Sequence, residues 1–489
     1  MASLSQTNLG QASGDVALPS YDRSSVTPGI VHLGIGAFHR AHMAVYVDAV
    51  LGTDPSWGIV GANLRRPDTK RALEPQDYLY TVAVRDAAGT KARVIGSIVN
   101  IIDASESVDA LIGQMAAPEI RIVSLTVTEK GYCHDGTTGS LRLDHPDIVR
   151  DLANPQAPRS APGVIVAALR RRRDAGLPGF TVLSCDNLPS NGRVAEQVVT
   201  EYAAQIDVEL ARWIATNATF PSTMVDRIVP ATTDKDRTDI GNLTGLDDAW
   251  PVVTEPFSQW VVEDNFVAGR PTWEAHGVQL THDVEPFEHM KLRMLNGSHS
   301  TIAYLGLLAG HNVVAEAVAD ADIHRLIHGL MTEEIIPTLH LPGVDLFAYR
   351  DSLLERFANP ALNHRLRQIA MDGSQKLPQR ILAPMRDRLS AGQEVNRLTL
   401  TMAAWIAQLH HQLGQGSDPI LDPLNTALAV ALLGGGDTAD GLFNSFIGLE
   451  AVFGDADQYP QGVKDQIKVH LSTLLSQTPA VAIQNLQGA

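Results

Sequence analysis

Ile30-Val31-His32-Leu33-Gly34-Ile35-Gly36-Ala37-Phe38-His39-Arg40 places two glycines where a β-branched run gives way to an amphipathic segment. A buried strand passing through a tight turn into a helix is the layout that cradles a dinucleotide. Gly34 permits the bend, Gly36 lets the backbone approach a pyrophosphate, and the helix start offers unpaired N–H groups. The third glycine of the usual pattern is absent, with His39 in its place. An acid normally follows the second strand to hold the adenosine ribose. Here residues 58–64 run into Arg65-Arg66-Pro67-Asp68. Asp68 would accept a 2′-hydroxyl and favour NAD, whereas Arg65 or Arg66 could pair with the extra phosphate of NADP; the reading favours NAD. Cofactor contacts are expected at Gly34, Ile35, Gly36, Ala37, Phe38, Arg65 and Asp68.

Outward from this turn, residues 29–285 alternate β-branched runs with amphipathic segments, as a wound α/β domain requires. Buried strands are expected at residues 30–35, 58–64, 120–125 and 180–184, with helices over 40–51, 107–115, 162–173 and 193–204. Residues 78–97 read as a hairpin turning at Asp86-Ala87-Ala88-Gly89. Beyond about Glu285 the strand pattern fades, and Leu/Ala/Ile-rich helical segments dominate at 290–308, 320–336, 362–371 and 398–413. The expectation is therefore an α/β chain in two parts: a Rossmann-type dinucleotide-binding domain over residues 1–285, and a mainly α-helical substrate-binding and catalytic domain over 286–489.

A chain of 489 residues exceeds what one hydrophobic core usually supports. Hydrophobic residues at 44% and charged residues at 19% give a globular balance. Residues 1–25 lack a basic start followed by an apolar run, and they read as a loose terminal arm rather than a signal. No apolar run is long enough to span a bilayer. Two distant cysteines, Cys133 and Cys185, point to a reducing, cytoplasmic compartment. A net charge of −17 disfavours nucleic acid, and the one dense basic run, Arg170 to Arg173, reads as a helix C-terminus favoured by the dipole. Neither nucleic acid nor membrane is an expected partner, and the oligomeric state is left open.

The catalytic reading centres on Glu288-His289-Met290-Lys291-Leu292-Arg293-Met294-Leu295-Asn296-Gly297-Ser298-His299. On an α-helix, Asn296 lies roughly 140° and His299 roughly 80° round from Lys291, so the three share one side. Oxidising a secondary alcohol needs a base for the hydroxyl proton and donors for the forming alkoxide. A lysine whose ammonium is disfavoured by burial and by a cationic nicotinamide ring can be that base. Carboxamides are neutral donors suited to the oxygen. Asn187, just past a predicted strand in Ser184-Cys185-Asp186-Asn187-Leu188-Pro189, can pair with Asn296 in that task.

With these residues in place, the chain resembles the polyol-specific long-chain dehydrogenases, the family of mannitol 2-dehydrogenase, fructuronate reductase and arabinitol dehydrogenase. Matching motifs occur in order along most of the chain: residues 34–42, 76–81, 126–132, 184–192, Met224-Val225-Asp226-Arg227, 291–299, and Asp372-Gly373-Ser374-Gln375-Lys376. The resemblance implies a Rossmann-type domain followed by a helical one, with a polyol or keto-sugar substrate between them and no metal. It implies Lys291 as general acid/base, Asn187 and Asn296 polarising the reacting oxygen, and His299 positioning substrate hydroxyls. It further implies that Asp226 supports substrate binding and that Glu288 relays protons. Asp68 matches the family's ribose acid, while Pro67 stands where some NAD-dependent members carry a second acid. Lys376, Arg380 and Arg367 are candidate substrate-side cations.

The expected activity is NAD-dependent interconversion of D-mannitol and D-fructose. The alternative within the family is the D-mannonate and D-fructuronate pair, where a cation would meet a carboxylate. A non-catalytic NAD-binding sensor would have no need of Lys291 beside two carboxamides. A zinc dehydrogenase needs Cys/His clusters that two distant cysteines do not supply. His39 and His42 share a turn without the glutamate of a zincin, and no Gly-Lys dipeptide supports a P-loop.

Overall fold

The computed structural model describes residues 1–136, 138–361, 364–414, 416 and 419–486. The chain divides into two compact units, Met1–Glu285 and Pro286–Ala489.

The first unit is built on five parallel strands: β1 (Pro28–Leu33), β2 (Gly58–Asn63), β3 (Ile98–Asp103), β4 (Ile122–Leu125) and β5 (Thr181–Ser184). Their order is β3-β2-β1-β4-β5, so β1 lies at the centre and the winding reverses beside it. That reversal opens a crevice at the carboxyl ends of β1 and β4, the place where wound sheets bind ligands. The strands are mainly apolar because both faces are covered. Val31, Leu33, Val60, Val123 and Val182 pack into one core, while Ile30, Ile59, Ile122 and Leu183 alternate into the other. Each such side chain contributes about 1.5–3 kcal/mol on burial.

Helix Ala161–Asp174 shows how sequence sets an element. Ser160 caps it by accepting the Gly163 N–H, and Pro162 fits the first turn. Its four arginines are engaged locally: Arg171 pairs with Asp109, and Arg173 with Asp207. Arg172 is buried, donating to the carbonyls of Ala117, Ile120 and Pro178. Arg170 donates to Gln156.

The hairpin forms over Tyr80–Asp86 and Gly89–Ile95, with Ala87 and Ala88 in the loop, and Val252–Thr254 adds to its open edge. A third sheet joins Thr223–Asp226, Gln259–Glu263 and Gln279–Thr281.

Two expectations are corrected. The amino-terminal stretch is not a loose arm: Ala2–Ser3 pairs in parallel with Leu246–Asp247, and Leu4 is fully buried in a small apolar cluster. Backbone pairing holds a segment whose polar composition gave no sign of it. The helix expected over 40–51 is broken at His42, whose non-helical backbone separates Ala37–Ala41 from Met43–Val50.

The second unit has no strand among the described residues. Helix Asn396–Gly414 runs through its core, packed against Gly297–Leu308 and Gln461–Ser476. The segment expected at 362–371 is helical over Leu366–Ala370, and Leu362 and Asn363 lie outside the described residues. Three stretches wind as π-helix: Lys291–Asn296, Leu330–Ile335 and Pro378–Leu382. Among the described residues no helix is long and apolar enough to cross a membrane.

Candidate active site

In the first unit, β1 ends at Leu33 and Gly34 turns with φ +91°. A side chain is impossible there: a Cβ would lie 2.1 Å from the Thr126 carbonyl oxygen. Gly36 differs, since a Cβ there would meet only the Gly34 carbonyl oxygen at 3.9 Å. Protein packing makes no demand for glycine at 36; its missing side chain keeps the backbone open to a ligand. The turn is fastened by Gly36 N–H to the Gly34 carbonyl at 2.7 Å and by the Thr126 hydroxyl to the same carbonyl at 2.6 Å.

His39, where a third glycine is usual, is fully buried with its ring stacked on His32 at 3.4 Å between centroids. Because the Thr126 hydroxyl donates to Gly34, His32 Nε2 supplies the proton of its 2.8 Å bond to Thr126, and Nδ1 accepts from Ser124. Burial holds both imidazoles below their usual range.

Gly34, Gly36, Asn63, Asp68, Thr126 and Trp250 help line a cavity of about 920 Å³. Its wall carries six cations, Arg40, Arg65, Arg66, Lys130, Arg159 and Arg237, against one carboxylate, Asp68. In a chain of net charge −17 this local reversal fits a polyanionic ligand. The glycine turn and the cationic wall together fit a dinucleotide. Ile35, Ala37, Arg65 and Asp68 stand on the wall. Phe38 does not: it stacks on His42 at 5.0 Å. Arg65 also pairs with Asp147 at 2.9 Å.

Lys130, Arg159 and Arg237 were not singled out from sequence. Arg159 is set by its neighbour in space, since buried Asp151 accepts the backbone N–H groups of Arg159 and Ser160 at 2.9 and 2.7 Å. Only a basic residue just ahead of a capped helix start hinted at it.

Cys133, His145 and Asp147 bring one donor atom each within 4.8 Å of one another. Their donors have other tasks. Asp147 pairs with Arg65 and Arg150, His145 Nδ1 accepts the Asp147 N–H, and burial pushes the Cys133 thiol up to about 11.

Asn187 is exposed on the loop following β5, directly after buried Asp186. Asp226 is the buried last residue of strand Thr223–Asp226.

In the second unit, helix Glu285–Met290 passes into the π segment Lys291–Asn296 and on into helix Gly297–Leu308. This corrects the α-helical geometry expected from the sequence. In a π segment each N–H reaches back five residues, so residue i+5 comes round close to residue i. Lys291 and Asn296 are such a pair, better aligned than the roughly 140° of an uninterrupted α-helix. Glu288, Lys291, Asn296 and His299 are all buried.

Asn296 Nδ2 and His299 Nε2 are buried without a hydrogen-bond partner among the described residues. Buried polar atoms are nearly always satisfied, so the Asn296 amide and the His299 ring nitrogen are each free to take a partner from outside the protein. The His299 ring lies against Phe357 at 4.6 Å and His364 at 5.0 Å. Burial, with His364 beside it, holds the ring well below its usual range, so it is neutral.

The three candidate substrate cations separate. Lys376 Nζ donates to the carbonyls of Met371 at 2.6 Å and Ile369 at 3.3 Å, closing the end of helix Leu366–Ala370. Burial and the neighbouring Arg380 bring it down to about 8. Arg380 Nη1 donates to Ser300 Oγ at 3.2 Å and the Asn296 carbonyl at 3.4 Å, and burial brings it down to about 10. Gly297 lets the Arg380 backbone come close, since a Cβ there would stand 3.0 Å from the Arg380 carbonyl oxygen. Arg367 lines a separate cavity of about 530 Å³ with Trp405 and Asp422.

The pattern of the mannitol dehydrogenase Rossmann domain matches residues 28–275, and that of the mannitol dehydrogenase C-terminal domain matches residues 283–475. The chain is 46% identical over 465 residues to the D-mannonate oxidoreductase of Escherichia coli (strain K12), covering 93% of this chain and 94% of that one. It is 46% identical over 400 residues to a mannitol 2-dehydrogenase of Pyrenophora tritici-repentis, covering 80% and 71%. Its structure is similar to that of Pseudomonas fluorescens mannitol 2-dehydrogenase in a ternary complex with NAD and D-mannitol, with a TM-score of 0.87, 39% identity and 99% of both chains covered.

Proposed function

The chain belongs to the mannitol dehydrogenase family, and from that premise we propose that it is an NAD-dependent oxidoreductase interconverting D-mannitol and D-fructose, with a lysine as acid/base. NAD, when bound, supplies the hydride acceptor at its nicotinamide ring. The first unit is the dinucleotide-binding domain in this reading and adds Asn187 and Asp226, and the second provides Lys291, Asn296, His299 and Glu288. Lys291 takes the hydroxyl proton as the carbinol hydrogen leaves as hydride, and it returns that proton when the ketose is reduced. Asn296 donates through Nδ2 to the reacting oxygen, with Asn187 as the second carboxamide. His299, neutral and with Nε2 buried, orients a neighbouring substrate hydroxyl. Asp226 holds another, and Glu288 passes the proton between Lys291 and solvent. Asn296 Nδ2 and His299 Nε2, buried without a partner among the described residues on the helix that carries Lys291, are the observation on which this reading rests.

A second reading, reduction of D-fructuronate to D-mannonate, draws on the 46% identity to D-mannonate oxidoreductase along 93% of this chain. NADH oxidation measured in parallel with fructose and fructuronate separates the two. We expect the larger kcat/KM with fructose; a much larger value with fructuronate reverses the assignment.

The cofactor choice has its own test. Asp68 is the one carboxylate on a cationic wall, and a 2′-phosphate placed beside it would be repelled. Asp68→Ser is expected to shift the NADP-to-NAD ratio of kcat/KM at least about tenfold, or about 1.4 kcal/mol, toward NADP. An unchanged ratio removes Asp68 from the selection. Cys133 and Cys185 are both free thiols, which suits a reducing compartment, and we place the reaction in the cytoplasm.

A further inference from the structure

Beyond β5 the chain turns back toward β4, and the Cys185 N–H bonds the Leu125 carbonyl at 2.8 Å. The next side chain, Asp186, is buried. Its two oxygens accept three hydrogen bonds: from the Thr128 N–H at 2.9 Å, the Val127 N–H at 3.0 Å and the Tyr132 hydroxyl at 2.8 Å. Its own carbonyl accepts Asn191 Nδ2 and the Leu188 N–H, both at 2.9 Å. Buried carboxylates gripping backbone N–H groups fix loop geometry, because losing the acceptor leaves several donors unsatisfied at once.

Two features show that this grip does more than close a sheet. Thr128 has φ +64° and ψ +163°, a region that β-branched residues leave unless surrounding structure holds them there. Thr126, Val127 and Thr128 also form part of the nucleotide cavity wall. One carboxylate thus ties the strained wall of the cavity to the loop whose next residue is Asn187.

We propose that Asp186 is a positioning residue: it holds the Thr128 wall for the cofactor and, through the same bonds, fixes the loop from which Asn187 presents its carboxamide. The proposal rests on the role of Asn187 given above. The role of Asp186 itself is independent of which sugar is the substrate.

The test is a double-mutant cycle on the full chain, reading kcat for NADH-dependent ketose reduction in wild type, Asp186→Asn, Asn187→Ala and the double variant. Each single variant is expected to lower kcat at least about tenfold, with the double variant within about threefold of Asn187→Ala. Asp186→Asn alone should also weaken NADH binding, measured by fluorescence titration, because the Thr128 wall relaxes. Losses that multiply in the double variant, or NADH affinity unchanged in Asp186→Asn, overturn the positioning role while leaving Asn187 as a donor. Full kcat in Asn187→Ala overturns the donor reading and this proposal together. Should Asp186→Asn not fold, Tyr132→Phe removes one of the three donors and enters the same cycle, with the same two outcomes deciding it.

Discussion

Lys291→Ala lowers kcat by at least about 10², the lower range for losing a positioned acid/base, while NADH still binds. The expectation follows from where the residue sits. Lys291 is buried at the first position of a π turn whose last position is Asn296. The amine that would take the proton and one amide that would hold the oxygen are therefore on the same side of one rigid segment. Removing the amine leaves the carboxamides and His299 in place, so the loss should appear in kcat and kcat/KM together. The sign of the pH dependence follows too. Polyol oxidation needs the free amine and rises with pH as the ammonium is lost, whereas ketose reduction needs the ammonium and falls over the same interval. Stopped-flow measurement of hydride transfer in both directions checks this. Wild-type turnover in Lys291→Ala, or a pH-independent rate when hydride transfer is limiting, rejects the assignment.

Gly34→Ala should remove cofactor binding and much of the stability of the first unit. The added methyl carbon would sit 2.1 Å from the Thr126 carbonyl oxygen and 2.8 Å from its carbon, both backbone atoms at the end of β4. The φ of +91° at Gly34 adds about 1–2 kcal/mol for an L-residue, and overpacking of this kind costs about 1–3 kcal/mol more. Together these are a large part of the roughly 5–15 kcal/mol that holds most domains folded. Gly36→Ala is the control, since its methyl would meet nothing closer than 3.9 Å. It should leave the thermal midpoint near wild type while weakening NADH. If Gly34→Ala melts and binds NADH as wild type does, the account of the turn is wrong.

The glycine turn was legible because two constraints coincide there, a buried strand and a conformation only glycine adopts. The change of architecture near Glu285 was legible because β-branched strand runs fade there and Leu/Ala/Ile-rich helical segments take over. Other features were hidden for physical reasons. A π turn carries the same Leu and Met content as an α-helix, so Lys291-Leu292-Arg293-Met294-Leu295-Asn296 gave no sign of its winding. Lys376 and Arg380 announce a positive charge but not its destination: backbone carbonyls, which have no letter in the sequence, accept from both, and Ser300 Oγ accepts from Arg380 as well. Residues 1–4 were misread on composition, because strand pairing through the main chain needs no particular side chain. Asp186 escaped notice beside the more suggestive Asn187, since only coordinates reveal which N–H groups a carboxylate meets.

The π winding at Lys291–Asn296 constrains chain length as much as side-chain identity. Wound as plain α-helix at the same length, the segment would set Asn296 about 140° round from Lys291, and only a segment one residue shorter would bring the pair back to about 40°. A homologue could thus retain every one of these amino acids at the same spacing and still be disarmed by plain α winding, so winding and spacing across this stretch are to be inspected together before any relative is credited with the same chemistry.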